Sequence, residues 1–275
     1  MYLPLAALVA LSVVGAHHCT RQRTAPVLVA GAIVALAFAW FTAQRGDVFQ
    51  SEIAIWTDTV TKRPTSAQAQ GNLGAALLRE NRLPESMAAS AAALRLRPRY
   101  PEARVNLGVA LARAGRTPEA IPHYESALRD EPDHGEAHYN LGAALVETGR
   151  PAESIAHFAA ALRQDERNAS ALNNLAVALL QIGRAAESAE QARLAVRLQP
   201  AFAEAHYNLG NALAQMGDTG GAIVACEAAV RLQPGFARAH HNLGVLKLRS
   251  GRRAEAVAHF ETAVRLDPDY SEARR

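Results

Sequence analysis

Cysteine is scarce in this sequence, and neither sign of charge is in clear excess. The two cysteines, Cys19 and Cys226, do not form a disulfide framework. The 29 basic residues are almost all arginine and are interleaved with 26 acidic ones, which leaves a net charge of +3. A surface of this mixed kind is solvated and lacks the one-sided positive charge of a nucleic-acid-binding face. We therefore expect no nucleic acid among the partners.

Signatures of catalysis and of metal or cofactor binding are also missing. The chain has no spacing typical of a nucleophile and its base, no phosphate-binding loop and no zinc signature. Most of the ten histidines recur at two positions, in steps that are multiples of 34 residues. These sets are His123, His157 and His259, and His138, His206 and His240. Equivalent positions in neighbouring repeats lie too far apart to hold one ion at about 2.1 Å. We expect no enzymatic activity, no cofactor and no metal site.

What the sequence does contain is a repeat with a fixed period of 34 residues. The triplet Asn-Leu-Gly, once Asn-Leu-Ala, starts at Asn72, Asn106, Asn140, Asn174, Asn208 and Asn242. Alanine recurs with the same period at residues 93, 127, 161, 195, 229 and 263. Proline does so at 98, 132, 200, 234 and 268, and only Glu166 breaks that series. A fixed period of this length is the signature of a solenoid.

Each repeat predicts two helices separated by a tight turn. Ala137, Leu141 and Leu145 share one helical face. Gly149 then supplies the left-handed residue that ends a helix. Gly142 lies inside the first helix, where glycine costs about 1 kcal/mol relative to alanine. We expect close approach of the two helices at this small residue to offset that cost. Prolines suited to the first turn open several of the second helices, at Pro84, Pro118 and Pro151.

These features resemble the tetratricopeptide repeat (TPR) family. The family pattern has a small residue at the eighth position, alanines at the twentieth and twenty-seventh, and proline at the thirty-second. Gly244, Ala256, Ala263 and Pro268 match it in the last repeat. The family's tryptophan at the fourth position is missing, and Gln70, Arg104, His138, Leu172, His206 and His240 stand there instead. The resemblance implies an all-α fold, a right-handed TPR α-solenoid of helix-turn-helix units. The six predicted units, numbered 1 to 6 below, are 67–100, 101–134, 135–168, 169–202, 203–236 and 237–270.

The two ends of the array are predicted to differ. Trp56 lies one period before Ser90, so residues 46–66 are interpreted as an N-terminal half-repeat whose helix covers the first unit. At the other end, residues 271–275 read as the start of a truncated seventh repeat. No polar capping helix follows there, although solenoids usually need one. We therefore expect the uncapped C-terminal end to be available for self-association.

The first 45 residues predict a membrane helical hairpin. Residues 1–16 and 25–43 contain no charged side chain. The second of these segments is about 28 Å long as a helix, close to the thickness of the hydrocarbon core. We expect two transmembrane helices that embed the chain in the membrane through residues 1–43. The basic residues flanking them give conflicting evidence on orientation. An alternative is that this hairpin is buried and the protein is soluble.

A second resemblance concerns residues 1–75. The opening Tyr-Leu-Pro-Leu and the stretch Ile-Trp-Thr-Asp-Thr-Val-Thr-Lys-Arg-Pro at 55–64 are similar to the C-terminal part of polytopic membrane proteins with TPR tails. That group resembles protein O-mannosyltransferases, and its tails face the lumen or periplasm. The resemblance implies a cell-membrane protein whose TPR domain lies on the extracytoplasmic side. The acidic loop expected to serve such a transferase is absent, since the first acidic residue of the sequence is Asp47. No transferase residue can therefore be assigned.

The TPR resemblance also implies a concave groove lined by the first helices of the units. The sixth position of every unit, which faces that groove, is Asn72, Asn106, Asn140, Asn174, Asn208 or Asn242. A primary amide has two donor hydrogens and an acceptor, so it can pair with both groups of a peptide unit. Selectivity would come from Tyr139, Tyr207, His241, Arg79 and Arg113. The alternative is that the asparagines only form local bonds.

The sequence therefore predicts a membrane-anchored TPR scaffold that binds an extended peptide or a protein in an asparagine-lined groove. A chaperone tail is not expected as the ligand, because Tyr207 stands where the chaperone-binding members have lysine. The alternative function is the C-terminal TPR module of a polytopic membrane O-glycosyltransferase, mannosyltransferase-like, whose catalytic part would lie before Met1.

Overall fold

The computed structural model describes residues 51–268, which form thirteen α-helices and no strand. They are α1 (Glu52–Lys62), α2 (Ala67–Arg79), α3 (Leu83–Leu96), α4 (Pro101–Arg113), α5 (Thr117–Asp130), α6 (Gly135–Glu147), α7 (Pro151–Gln164), α8 (Ala169–Gln181), α9 (Ala185–Leu198), α10 (Ala203–Gln215), α11 (Thr219–Leu232), α12 (Ala237–Arg249) and α13 (Arg253–Leu266). The predicted membrane hairpin and residues 271–275 lie outside the described residues. None of the thirteen described helices is both long enough and apolar enough to cross a membrane.

The helices stack in one continuous solenoid. From α2 onwards they form six antiparallel pairs, and each helix also packs on the one that follows it. The first helices of neighbouring pairs touch as well, as α2 does α4 and α10 does α12. Helix α1 packs on α2 and precedes the first pair. The prediction of an all-helical solenoid of repeated helix pairs is therefore confirmed.

The interior glycine allows the two helices of a pair to come into contact. A Cβ atom added to Gly142 would lie 2.8 Å from the ring of Phe158, which is closer than side-chain carbons approach in proteins. Phe158 is fully buried at this point. The same close approach joins Gly108 to Tyr124 and Gly244 to Phe260. The cost of glycine in the helix is thus offset by burial of an aromatic ring against it.

The turn inside each pair has the geometry expected from its glycine. Gly149 has φ +77°, in the left-handed region. Its N–H donates to the carbonyl of Val146 at 3.1 Å, and the N–H of Arg150 donates to that of Leu145 at 2.7 Å. This pair of bonds is the Schellman arrangement that ends helices. Glycine has positive φ at the same position in units 2 to 6, and Asn81 replaces it in unit 1 with φ 55°.

The fourth residue of a unit ties that unit to the one before it. Its side chain lies by the carbonyl of the proline at position 32 of the preceding unit in four cases: Arg104 Nη2 by Pro98 at 2.6 Å, His138 Nε2 by Pro132 at 2.9 Å, His206 Nε2 by Pro200 at 3.0 Å and His240 Nε2 by Pro234 at 3.1 Å. A carbonyl only accepts, so each of these side chains donates. Unit 4, which follows the repeat lacking that proline, has Leu172 instead. Where the family has tryptophan, these four units therefore have a side chain that donates a hydrogen bond to the preceding unit.

Candidate functional site

The six asparagines of the repeat lie along one row of the solenoid. Each belongs to the first helix of its unit, and each is half-buried. The first helices of consecutive units are in contact, so the side chains form a ladder that runs from α2 to α12. The hydrogen bonds divide this ladder into two halves that differ in what their amides do.

In the C-terminal half, the amides bond to the first helix of the preceding unit. Asn174 Nδ2 donates to the hydroxyl of Tyr139 at 3.2 Å, and Asn208 Nδ2 donates to Asn173 Oδ1 at 2.8 Å. Asn242 makes two such bonds, to the Tyr207 hydroxyl at 3.2 Å and to Asn211 Oδ1 at 2.7 Å. These three amides cross-link neighbouring units.

In the N-terminal half, the amides make no bond to another helix within residues 51–268. Asn140 Nδ2 donates to the carbonyl of Glu136 in its own helix at 2.9 Å. Asn72 and Asn106 have no side-chain hydrogen bond in the described part of the chain. For Asn106 and Asn140 the reason lies one repeat earlier, where Gly71 and Val105 occupy the position held by Tyr139, Asn173 or Tyr207 in the later units.

Both tyrosines of the predicted site are held by aromatic neighbours. The ring of Tyr139 meets Phe158 edge-on with centroids 6.3 Å apart, and Tyr207 lies 5.0 Å from Phe236. Burial raises the pKa of Tyr139, and the bond from Asn174 opposes that shift. The hydroxyl of Tyr139 therefore stays neutral at physiological pH. Both hydroxyls accept a hydrogen bond from a ladder asparagine of the next unit and so link neighbouring units.

The three charged or polar residues proposed for selectivity also have contacts within the chain. Arg79 forms an ion pair with Glu52 of α1, in which both side chains are more than half exposed. Arg113 Nη1 donates to the carbonyl of Leu78 at the end of α2, at 3.0 Å. His241 Nδ1 lies 3.3 Å from Asn242 Oδ1, and its ring centroid is 5.6 Å from that of Phe260. Only the pair of Arg79 is exposed enough to exchange its partner easily, since such surface pairs are weak.

Sequence reasoning did not assign a role to Asn173 and Asn211. Both accept from ladder asparagines of the next unit, and Asn173 is buried. A signal was available for Asn211, because the other five units have alanine or valine at its position. The position of Asn173 varies too widely among the units to give such a signal. Of the six ladder amides, that of Asn140 bonds within its own helix and those of Asn174, Asn208 and Asn242 bond to the preceding unit. Ligand binding by the ladder stays a prediction.

The histidines and the described cysteine offer no metal site within residues 51–268. That region has no group of three or more His, Cys, Asp or Glu side chains arranged to hold an ion. Cys226 is fully buried, and its burial, with Glu227 adding to the effect, raises the pKa of the thiol to about 12. The thiol therefore stays protonated and unreactive at neutral pH.

Comparison with protein-family models identifies the repeat. Models described as tetratricopeptide repeat match residues 88–133, 105–169 and 144–201, and two further models of that description match 203–236 and 237–270. None of these matches falls on residues 1–75, so the similarity of that segment to mannosyltransferase-like proteins stays a prediction. A search of curated proteins found no significant match.

Solved structures share the fold of the helical region. A chain of the APC/C hetero-tetramer Cut9–Hcn1 is 19% identical with a TM-score of 0.69, and the match covers 80% of this chain and 43% of that one. PilF of Pseudomonas aeruginosa is 20% identical, with a TM-score of 0.65 and coverage of 76% and 95%. YrrB, a TPR protein with an unusual peptide-binding site, is 24% identical, with a TM-score of 0.55 and coverage of 68% and 96%. At these identities the similarity establishes the architecture alone.

Proposed function

The chain belongs to the tetratricopeptide repeat family, and we propose that it is a non-catalytic scaffold that binds an extended peptide or a segment of a partner protein. The binding face is the groove along the first helices. The peptide-binding site of YrrB, which shares the fold, supports this function for such a solenoid.

The N-terminal half of the ladder carries the proposal. Within residues 51–268, the amides of Asn72, Asn106 and Asn140 make no bond to a neighbouring helix. Asn72 and Asn106 can offer both donors and the acceptor of the amide to a peptide backbone, and Asn140 can offer its acceptor and the donor that Glu136 does not use. None of these bonds to a ligand would break a contact between helices. The ladder would therefore recognise the backbone of the ligand and be tolerant of its side chains.

Arg79 is the residue that we propose adds selectivity for a carboxylate. Its present partner, Glu52, lies on α1, and both side chains are largely in solvent. A carboxylate of a bound peptide could replace Glu52 at little cost, because exposed ion pairs contribute at most about 1 kcal/mol. Arg113 has a carbonyl of α2 as its partner and would contribute mainly charge.

Two matched triple variants test this function. Peptides are first selected on the full-length chain from a displayed random library, and their affinities are then measured by fluorescence anisotropy. N72A/N106A/N140A is expected to weaken binding at least tenfold. N174A/N208A/N242A, which removes the same number of amides, is expected to weaken it less than threefold if its circular dichroism shows that it is folded. N-methylation of the peptide backbone should imitate the first triple variant.

Equal losses in the two triple variants would contradict the division of the ladder. No selected peptide, or affinities that depend on side chains and not on backbone methylation, would contradict backbone recognition altogether. Replacement of Arg79 by Gln should lower affinity only for those selected peptides that contain an acidic residue.

We further propose that residues 1–43 hold this scaffold at the cell membrane, with the solenoid on the extracytoplasmic side. The support is the pair of uncharged segments at 1–16 and 25–43. Resistance to alkaline carbonate extraction, together with digestion of the repeats by protease added to intact cells, is the expected result. Release by carbonate would contradict the anchor. A native polypeptide much larger than 29.3 kDa on a blot with an antibody to the repeats would favour the glycosyltransferase-module alternative.

Self-association through the C-terminal end is part of the same proposal. On α13, the last described helix, Val257 is 47% exposed and lies beside Phe260 and Val264 around an open apolar hollow. A second copy of the chain is the occupant that we propose. Sedimentation of the full-length chain in detergent should show a concentration-dependent dimer that V257K abolishes. A monomer at all concentrations would exclude it.

A further inference from the structure

Two pairs of histidines lie beside joints between units, and each pair faces across the two helices of one unit. In unit 3, His138 of α6 and His157 of α7 have their Nδ1 atoms 2.9 Å apart and their ring centroids 5.2 Å apart. In unit 6, His240 of α12 and His259 of α13 repeat the arrangement at 3.1 Å and 5.4 Å. All four rings are half-buried. The two pairs are three repeats apart and were not expected from the spacing of either histidine set alone.

The hydrogen bonds fix the position of the protons in each pair. His138 Nε2 faces the carbonyl of Pro132 at 2.9 Å, so it carries a hydrogen. Nδ1 of the neutral His138 ring is then an acceptor, and His157 Nδ1 supplies the hydrogen between the rings. One further proton can be added to His157 Nε2 without disturbing either bond. A second one must go to His138 Nδ1, where it would place two N–H groups against each other.

Charged groups of both signs surround the pairs, but they do not make room for a second proton between the two rings. His157 faces Glu125 of α5 and Glu153 of its own helix, as well as His138 of α6. Burial first, and then the His138 ring, lower the pKa of His157 against the opposing effect of the two carboxylates.

The pair in unit 6 has one more cation beside it. His259 faces Glu227 of α11, Glu255 of its own helix, and His240 and Lys247 of α12. Burial and then His240 and Lys247 lower the pKa of His259, and the two carboxylates oppose them. Both joints therefore resist the addition of protons in the folded state.

We infer that the joints at His138–His157 and His240–His259 are acid-sensitive points of the solenoid, which open when each pair binds its second proton. Opening turns the ring of His138 or His240 away from its partner and breaks its bond to Pro132 or Pro234. That bond links a unit to the one before it, so the array loosens between units 2 and 3 and between units 5 and 6. The inference does not depend on the ligand of the groove.

The sign of the effect follows from proton linkage. Groups that are harder to protonate in the folded state bind more protons after opening, so acid favours the open joint. The stability that this effect gives to the closed joint is complete above about pH 6.5, the ordinary pKa of histidine. It is lost as the pH falls through the lowered pKa values of His157 and His259.

Unit 5 provides an internal control. His206 holds the fourth position there and lies by Pro200 at 3.0 Å, as the other two histidines do by their prolines. The residue opposite it is Ala225, not histidine. The joint of His206 has the same bond to the preceding unit, but no second histidine lies beside it. It therefore has no second proton to bind and should stay closed in acid.

Hydrogen exchange at the three equivalent helix starts tests the inference in the full-length chain. Protection is measured by mass spectrometry on segments 134–141, 202–209 and 236–243, with rates corrected for the intrinsic effect of pH. Between pH 7.5 and 5.5, protection is expected to fall about tenfold in the first and third segments, because one proton that the open joint binds near the ordinary pKa of histidine is refused by the closed joint. It should fall less than twofold in segment 202–209. An equal change in all three segments, or none, would overturn the inference.

Single replacements separate the two joints. Gln191 occupies the position of His157 in unit 4, so glutamine is compatible with the packing there. H157Q should abolish the pH dependence of segment 134–141 and leave that of 236–243, and H259Q should do the reverse. H206Q should change neither. Retention of the wild-type pH dependence in a folded H157Q protein would overturn the inference, and the wild-type comparison above stands if either variant fails to fold.

Discussion

Units 3 and 6 lie three repeats apart and share the contacts that build a unit. Each has the glycine–phenylalanine contact between its two helices, with an added Cβ 2.8 Å from the ring in unit 3 and 2.7 Å in unit 6. Each also has the histidine pair and the bond to the preceding proline. The helices of the two units have the same lengths, as they do in all six units.

The two units differ at positions that do not set the backbone. Asn140 of unit 3 bonds only within its own helix, whereas Asn242 of unit 6 bonds to two side chains of α10. Leu145 lies in the apolar core, whereas Lys247, at the same position, is only 4% exposed and is held by Glu227 and Glu255. The same pair of helices therefore occurs in a unit whose ladder amide makes no bond to another helix and in a unit whose ladder amide links it to the preceding unit.

The largest expected effect tests the shared frame. Phe158 is fully buried, so F158A should lower the free energy of unfolding by about 3–5 kcal/mol, through lost burial and the cavity that remains. F260A should cost clearly less, because Phe260 is half-buried on the last described helix. Urea unfolding followed by circular dichroism measures both. Equal costs would mean that α13 is covered by something outside residues 51–268.

The next effect tests the difference between the ladder amides. N242A removes two hydrogen bonds between helices, at 2.7 and 3.2 Å, and should destabilise the chain by about 1–2 kcal/mol. N140A removes one bond within a helix and should change the stability by less than about 0.5 kcal/mol, because alanine also favours the helix. Thermal unfolding at pH 7.5 compares the two variants. Equal losses would show that Asn140 has a structural partner as well.

Local periodicity was sufficient to predict the helices but not the side-chain partners. The positive φ of Gly149, the helix starts at the prolines and the close approach at Gly142 each depend on a few residues within one repeat. The bond of Asn174 to Tyr139 joins residues one repeat apart, and its existence depends on the rotation of one helix pair relative to the next. The period in the sequence does not encode that rotation, so the division of the ladder could not be foreseen.

The histidine pairs also could not be predicted from the period of the sequence. Within each set of histidines, equivalent positions in neighbouring repeats are too far apart to share a metal ion. His138 and His157 belong to different sets and meet inside one unit, because the fourth position of the first helix faces the residue that directly precedes Phe158 on the second helix. Knowing which positions of two helices face each other requires the packing of the pair, which hydrophobic spacing alone does not specify.

A smaller effect is expected when Lys247 is changed to the leucine found in the other five units. K247L replaces a buried, doubly paired ammonium by an apolar side chain, an exchange that is commonly neutral or stabilising. We expect thermal unfolding to show unchanged stability or a gain of up to about 2 kcal/mol. The reciprocal L145K should destabilise unit 3, where Leu145 is part of the core. A loss in K247L would mean that the lysine is required for the fold of unit 6.

The smallest effect concerns the acid dependence of that same contact. The bond from Lys247 holds the pKa of the Glu255 carboxyl below its usual value. Glu255 therefore contributes stability that is present above about pH 4.3, its unfolded value, and that is lost as the pH falls through the lower folded value. In unit 3 the equivalent Glu153 bonds to Arg150 instead, and that bond lowers its pKa in the same way.

The comparison with unit 3 thus predicts that K247L alone will hardly change the acid dependence. Arg252 occupies the position of Arg150, so Glu255 should turn to it once the ammonium is gone, as Glu153 does. The double variant K247L/R252Q has neither partner and should lose less stability between pH 5 and about pH 3, which thermal unfolding across that range can measure. Parallel curves for the wild type and the double variant would show that Glu255 is not stabilised by either cation. A shallow curve for K247L by itself would show that Arg252 cannot take the role that Arg150 has in unit 3.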